Sequence, residues 1–173
     1  MSEKIKNLIE LILGGEWGNP EGTFGGINTG VIRSANFTKD HQLNEKTIAI
    51  RSIPEKKRHQ KLLQTGDILI EKSGGTPDQP VGRVLFYDLL GNHTCSNFIS
   101  LIRPLSTVDS KFLYYAFCEL YNLGIVKGFQ QQTTGIINLQ LNEYLNERIF
   151  CPPLSEQKKI VEILSGIDEM IYK

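Results

Sequence analysis

Cys151-Pro152-Pro153-Leu154-Ser155-Glu156-Gln157-Lys158-Lys159-Ile160, continued by Ile163-Leu164-Ser165 and Ile167-Asp168-Glu169, divides the chain. Two consecutive prolines fix φ and remove backbone donors, so they end the regular structure before them. Beyond them Ser155 is suited to cap a helix, with Glu156 in the first turn where the helix dipole favours a carboxylate. Ile160, Leu164, Ile167 and Ile171 then recur at steps of four, three and four, a coiled-coil-like seam still running at Lys173. This predicts a globular part over 1–151 and the start of a projecting helix over 152–173, whose seam packs against another helix.

Upstream, strand-like runs occupy 31–33, 47–53, 67–70, 81–87 and 95–102. Asp109 is placed to cap a helix over 110–121, with Phe112, Leu113, Ala116, Phe117 and Leu120 facing inward. The segment 4–13 carries Ile5, Leu8, Ile9 and Ile12 at helical spacing and stops at Gly14-Gly15, which predicts a short helix with a glycine C-cap. Glycines crowd 14–30 around Trp17, Phe24 and Ile27, the composition of an ordered irregular loop, since flexible linkers seldom carry aromatics. Trp17, the only tryptophan, reads as that loop's anchor. A polar stretch over 127–138 and a short apolar-patterned segment over 139–150 complete the globular part. The expected fold is α+β: a compact, curved mixed β-sheet with flanking helices, followed by a projecting C-terminal helix.

With 173 residues, 40% hydrophobic and 22% charged, the chain suits one domain with an appendage. No apolar run reaches the ~18 residues of a membrane span, and the N-terminus lacks a signal-peptide pattern. Cys95, Cys118 and Cys151 are scattered and odd in number, as in a cytoplasmic protein with reduced thiols. Nineteen basic residues balance nineteen acidic ones, which argues against a protein that coats nucleic acid by charge alone and permits one that reads base edges.

Three regions carry residue types suited to DNA. Arg51, Lys56, Lys57, Arg58 and Lys61 crowd a stretch expected to be a long loop, with Glu55 as the single acid; they are candidate phosphate contacts, against the plainer reading of a solvated charged face. Lys72, Ser73, Thr76 and Gln79 follow a strand in a turn-rich segment, which is either a structural turn or a loop entering a groove. Its Lys-Ser precedes the glycines, the reverse of a phosphate-binding P-loop. Gln131, Gln132 and Thr133, with Lys127 nearby, suit adenine, the thymine methyl and a phosphate, or else form a solvated connection.

No catalytic set stands out. His41, His59 and His93 lack metal-ligand spacing, so no metal and no cofactor is expected. Cys151-Pro152-Pro153-Leu154 resembles the Asn/Asp-Pro-Pro-aromatic motif of amino-methyltransferases, but cysteine and leucine serve neither role and no glycine-rich cofactor loop precedes it. Asp67 with Glu71-Lys72 resembles a metal-dependent nuclease site, yet adjacent residues on a strand point to opposite faces.

The segment from Cys151 onward closely resembles the pattern that opens the long spacer helix of Type I restriction–modification DNA-specificity subunits. In the same order as that family stand Gly15-Glu16-Trp17-Gly18, 31–37, 66–75, 80–84, Phe112-Leu113-Tyr114-Tyr115 and Thr134-Gly135-Ile136-Ile137-Asn138-Leu139. The resemblance implies one target-recognition domain and the start of a spacer helix, reading double-stranded DNA without catalysis. It also implies two partners, the methyltransferase (modification) subunit and, through the complex, the restriction/translocase subunit, in host defence. The family's subunits usually hold two such domains, which leaves open an excised domain or a half-subunit that self-associates through the helix. Two other readings stay open: a recognition fragment of a fused restriction–methylation enzyme, and a helix-mediated assembly protein with no DNA role.

Overall fold

The computed structural model describes residues 1–76, 78–133 and 135–171, with the side chain of Thr133 also outside the described set. In chain order the elements are β1 (Ser2–Lys4), β2 (Ile9–Gly14), β3 (Gly26–Ile32), β4 (Ala49–Pro54), α1 (Glu55–Lys61), β5 (Ile68–Glu71), β6 (Ser73–Gly75), β7 (Val84–Phe86), β8 (His93–Cys95), β9 (Ile99–Pro104), α2 (Ser110–Asn122), β10 (Gln130–Thr133), β11 (Ile136–Leu139), α3 (Leu141–Tyr144), β12 (Arg148–Phe150) and α4 (Leu154–Ile171). The expected α+β class holds.

The central antiparallel sheet has the order β2-β9-β5-β7. All four residues of β5 are buried, because the sheet is covered on both sides. Ile68, Ile70, Val84 and Ile102 pack toward Phe112, Leu113 and Phe117 of α2. Leu69, Leu85, Leu101 and Ile99 pack toward Ile32, Phe37, Leu63 and Cys95. A strand covered on both faces reads as a continuous apolar run, as Ile68-Leu69-Ile70 does. A second sheet, β4-β3-β8, is mixed: β4 pairs antiparallel with β3, and β8 runs parallel to it. A third, β10-β11-β6, and the pair β1-β12 complete the strands.

The structure corrects several local expectations. Segment 4–13 is not a helix: Ile5 and Leu8 are buried in a 3₁₀ turn, and β2 then pairs with β9. The alternation of Ile9, Leu11 and Leu13, half-buried between exposed Glu10 and Ile12, outweighs the helical spacing. Gly15 is no C-cap either, for a Cβ there would lie 2.1 Å from the Cys95 carbonyl oxygen. The backbone crosses β8 at that point and bonds to it, the Glu16 amide donating to Cys95 at 2.7 Å. The 95–102 run breaks into β8 and β9, and the stretch holding Lys56 to Lys61 is a helix rather than a loop. Asp109 caps α2 as expected, its carboxylate accepting from the amides of Lys111 and Phe112.

Both acidic residues weighed as nuclease ligands are taken by arginines. Arg103 clasps Asp67 through two bonds of 2.8 Å. Arg83 clasps Glu71 at 2.7 and 2.8 Å and also donates to the carbonyls of Phe37 and Ser34. With its amide oxygen turned inward, Gln79 accepts from the same guanidinium. Replacing Arg83 with alanine strands a buried carboxylate, so R83A is expected to cost about 3–5 kcal/mol of unfolding free energy, measured by urea denaturation. The double replacement R83M/E71L is expected to be milder than R83A alone.

Candidate nucleic-acid interface

Five basic side chains from four parts of the chain converge on Gly14–Gly18. Arg51 of β4 lies over the Trp17 ring with its guanidinium carbon 4.5 Å from the ring centroid, and donates to the Gly18 carbonyl. Arg33, just past β3, lies over the same ring at 6.0 Å and donates to the Thr47 carbonyl. From α1, Lys57 and Lys61 approach Glu16 at 3.3 and 3.4 Å, and Lys61 also donates to the Gly15 carbonyl. Lys72 leaves β5 so that its Nζ lies 3.1 Å from where a Gly14 Cβ would be. Helical spacing explains the α1 pair, since residues four apart share a face.

Glu16 is the one acid paired within this group. Partial burial alone would raise its carboxyl pKa, but the hydrogen bonds and charges of Lys57 and Lys61 outweigh burial and hold it below the usual range. Two guanidinium groups on one indole and two ammonium groups on one carboxylate leave this surface locally positive within a chain of zero net charge.

The second constellation is one sheet rather than two separate loops. β6 pairs with β11 and β11 with β10, which places Ser73 opposite Asn138 and Asn138 opposite Gln131. Ser73 donates to Asn138 Oδ1 at 2.6 Å. The polar stretch read as a connection is therefore a hairpin, with the Gln131 and Gln132 side chains exposed. Lys72 joins the two constellations: its amide donates to Phe98 and its carbonyl accepts from Leu139. Thr76 is exposed, and Lys127 is exposed in a 3₁₀ turn before β10. Lys56 and Arg58 lie on α1. Thr133 ends β10, and its side chain lies outside the described residues.

The terminal helix differs from its sequence reading in two respects. It starts at Leu154, and the Pro153 carbonyl accepts from the amides of Glu156 and Gln157, so Ser155 stands inside the first turn rather than at the cap. It also lies along α2: Ile160 packs on the domain core, Leu164 lines a cleft with Tyr115 and Cys118, and Tyr115 donates to Asp168 at 2.6 Å. The apolar stripe left exposed is therefore Ile163, Ile167, Met170 and Ile171, which keeps Ile167 and Ile171 of the expected seam and replaces Ile160 and Leu164. Sequence reasoning missed Gln157. It is buried, donates to the Pro152 carbonyl at 2.8 Å and accepts from the Asp109 amide at 2.9 Å, tying the helix start to the α2 cap.

Among the described residues no cluster of His, Cys, Asp and Glu is placed to hold a metal, and no helix is long and apolar enough to cross a membrane. Comparison with solved structures identifies the same architecture. The chain superposes on a chain of a type I R-M system, studied for its complex assembly and conformational transition, with TM-score 0.68 and 22% identity over 99% of this chain. It matches the HsdS subunit of Thermoanaerobacter tengcongensis at TM-score 0.63 and 22% identity over 99% of this chain. It matches the type I restriction-modification S subunit of M. genitalium at 0.60 and 20% over 98%. It spans only 39%, 38% and 39% of those three chains respectively. These likenesses define the fold. The chain belongs to the family described as the Type I restriction modification DNA specificity domain, which matches residues 19–172. No curated protein matches it.

The stacked arginine offers a direct check. R51K keeps the charge but loses the planar contact with Trp17, at an expected cost of about 0.5–1 kcal/mol. Since Trp17 is the only tryptophan, its emission maximum should shift in R51K. An unchanged emission would show that the ring does not carry the guanidinium.

Proposed function

We propose that this chain recognises a specific sequence in double-stranded DNA and so directs a Type I restriction–modification complex to one half of a bipartite target. The observation that carries this reading is the convergence of Arg33, Arg51, Lys57, Lys61 and Lys72 on Gly14–Gly18 in a chain of zero net charge. A local excess of cations neutralises phosphates and releases counterions, whereas base edges supply the discrimination. Lys56, Arg58 and Lys127 extend the phosphate contacts. Ser73, Thr76, Gln131 and Gln132 approach the bases from the β10-β11-β6 sheet and the loop after it, and Gln79 supports them through Arg83. Residues 1–151 form the recognition domain and 152–173 open the spacer. The chain itself carries out no catalysis, acts in the cytoplasm, and meets the restriction/translocase subunit through the complex.

Duplex retardation at several salt concentrations tests this. Replacing Lys57 and Lys72 with alanine should weaken cognate and unrelated duplexes alike. The slope of log affinity against log salt should flatten by about one unit for each phosphate that no longer meets a lysine. Replacing Gln131 with alanine should leave the slope unchanged and relax one target position, at about 1–3 kcal/mol. The chain should transfer no methyl group from S-adenosylmethionine to the bound duplex. An unchanged slope in the lysine variant would remove phosphate contact from this surface.

The exposed stripe Ile163, Ile167, Met170 and Ile171 supplies the assembly surface, to a spacer helix of a second recognition unit or copy and to the methyltransferase subunit. Ile163 and Ile167 replaced by aspartate should abolish that association in sedimentation, because an unpaired carboxylate in an apolar interface is costly. Cooperative unfolding of the domain should survive, since both side chains are exposed.

A further inference from the structure

We propose that Phe24 is a base-contacting and specificity-determining residue, an apolar probe held out on a braced loop to meet an apolar base surface of the duplex. The proposal rests on the DNA-recognition reading above. Phe24 is 103% exposed, so its ring packs on none of the described residues. Its loop is nonetheless well tied. Pro20 accepts from both the amide and the hydroxyl of Thr23, at 3.2 and 2.6 Å. The Gly22 amide donates to Asn28 Oδ1 at 3.0 Å, and the Ser52 hydroxyl donates to the Thr23 carbonyl at 2.8 Å. Asn19 exchanges two backbone bonds with Ser52 at 2.8 and 3.0 Å.

Gly22 and Gly25, on either side of the ring, hold φ of +76° and +81° with open space around them. They answer to the turn's backbone geometry rather than to crowding, and that geometry sets the ring at the tip. A large apolar side chain without a neighbour, on a loop bonded at both ends, is arranged for a partner rather than left over from packing.

The surroundings say which partner. Ser52, which bonds to Asn19 and Thr23 of the loop, follows Arg51, the arginine stacked on Trp17, and α1 with Lys56 and Lys57 begins directly after β4. Cations at the root and an apolar ring at the tip match a duplex, where phosphates flank the groove and base surfaces line its floor. Glu21 is exposed in the same loop. Phosphates repel a carboxylate, whereas cytosine N4 can donate to one, so Glu21 favours the groove floor over the backbone. Phenyl rings meet bases in two ways, against the thymine methyl or wedged into a base step.

The full chain, the parent and its Phe24→Ala and Phe24→Leu variants, should be tested on the duplex that the parent enriches from a pool with a randomised centre. Because the ring packs on nothing, F24A should unfold as the parent does and keep its salt slope. It should lose about tenfold in affinity for the selected duplex and nothing for an unselected one, with F24L in between. If the ring meets a methyl group, deoxyuridine in place of the contacted thymine reproduces the loss for the parent and adds nothing to F24A. If it wedges a step, deoxyuridine is silent, and a bend seen with the parent by circular permutation is lost with F24A.

Equal loss on both duplexes, or parental affinity and preference in F24A, would overturn the proposal while leaving the reading of the chain intact. Unchanged DNA binding with lost methyltransferase-subunit association would overturn it in favour of a protein contact. A parent that enriches no sequence would overturn both.

Discussion

The guanidinium of Arg83 bonds to both Glu71 oxygens, to the carbonyls of Ser34 and Phe37, and to the amide oxygen of Gln79. One buried cation thus joins the end of β5, the turn after β3, the loop after β6 and its own approach to β7. Removing two charges from water is costly, and their attraction offsets that cost only where geometry is good and the remaining donors are satisfied. Here the carbonyls meet that condition. The turn so held carries Asn36, which accepts from Arg33's amide and donates to Asn44 and Thr47. Arg33 in turn lies over Trp17. The buried ion pair therefore braces the loop of the third sheet and, through Asn36 and Arg33, one side of the basic surface around Gly14–Gly18.

The same use of arginine shapes the surface charge. Asp67 and Glu71 are held inside by Arg103 and Arg83, which takes two carboxylates away from the field around Lys72. Glu16 remains, shared by two lysines. Each such pair withdraws one base with one acid and so leaves the remaining balance at zero; the positive face comes from where the remaining charges lie, with Arg33, Arg51, Lys57, Lys61 and Lys72 meeting at Gly14–Gly18.

Much of this was legible in the sequence where one local rule governed. The Asp109 cap, the buried run of β5 and the terminal helix follow from capping, burial on both faces and a proline corner. The segment 4–13 misled because isoleucine and leucine there satisfy two periodicities at once, and only pairing with β9 decides between them. The terminal seam was half legible: its spacing showed an amphipathic helix, but which face meets the domain depends on Tyr115, more than forty residues away. The candidate basic residues were recognisable by type, and their meeting at Gly14–Gly18 was not, because it needs Gly15 to pass within contact of Cys95. Gln157 carried no signal of burial, since an isolated glutamine on a helix reads as solvated. Phe24 could be seen, but only the fold shows that nothing covers it.

The terminal helix is fastened twice, by Gln157 at its first turns and by Asp168 towards its other end. Between those points it lies along α2, the helix that roofs the central sheet. A rod pinned at two places to a body cannot swivel on it. The direction in which the helix leaves the domain is therefore set by α2, and altering the angle between the two helices would have to break the Gln157 bonds or the Tyr115–Asp168 bond.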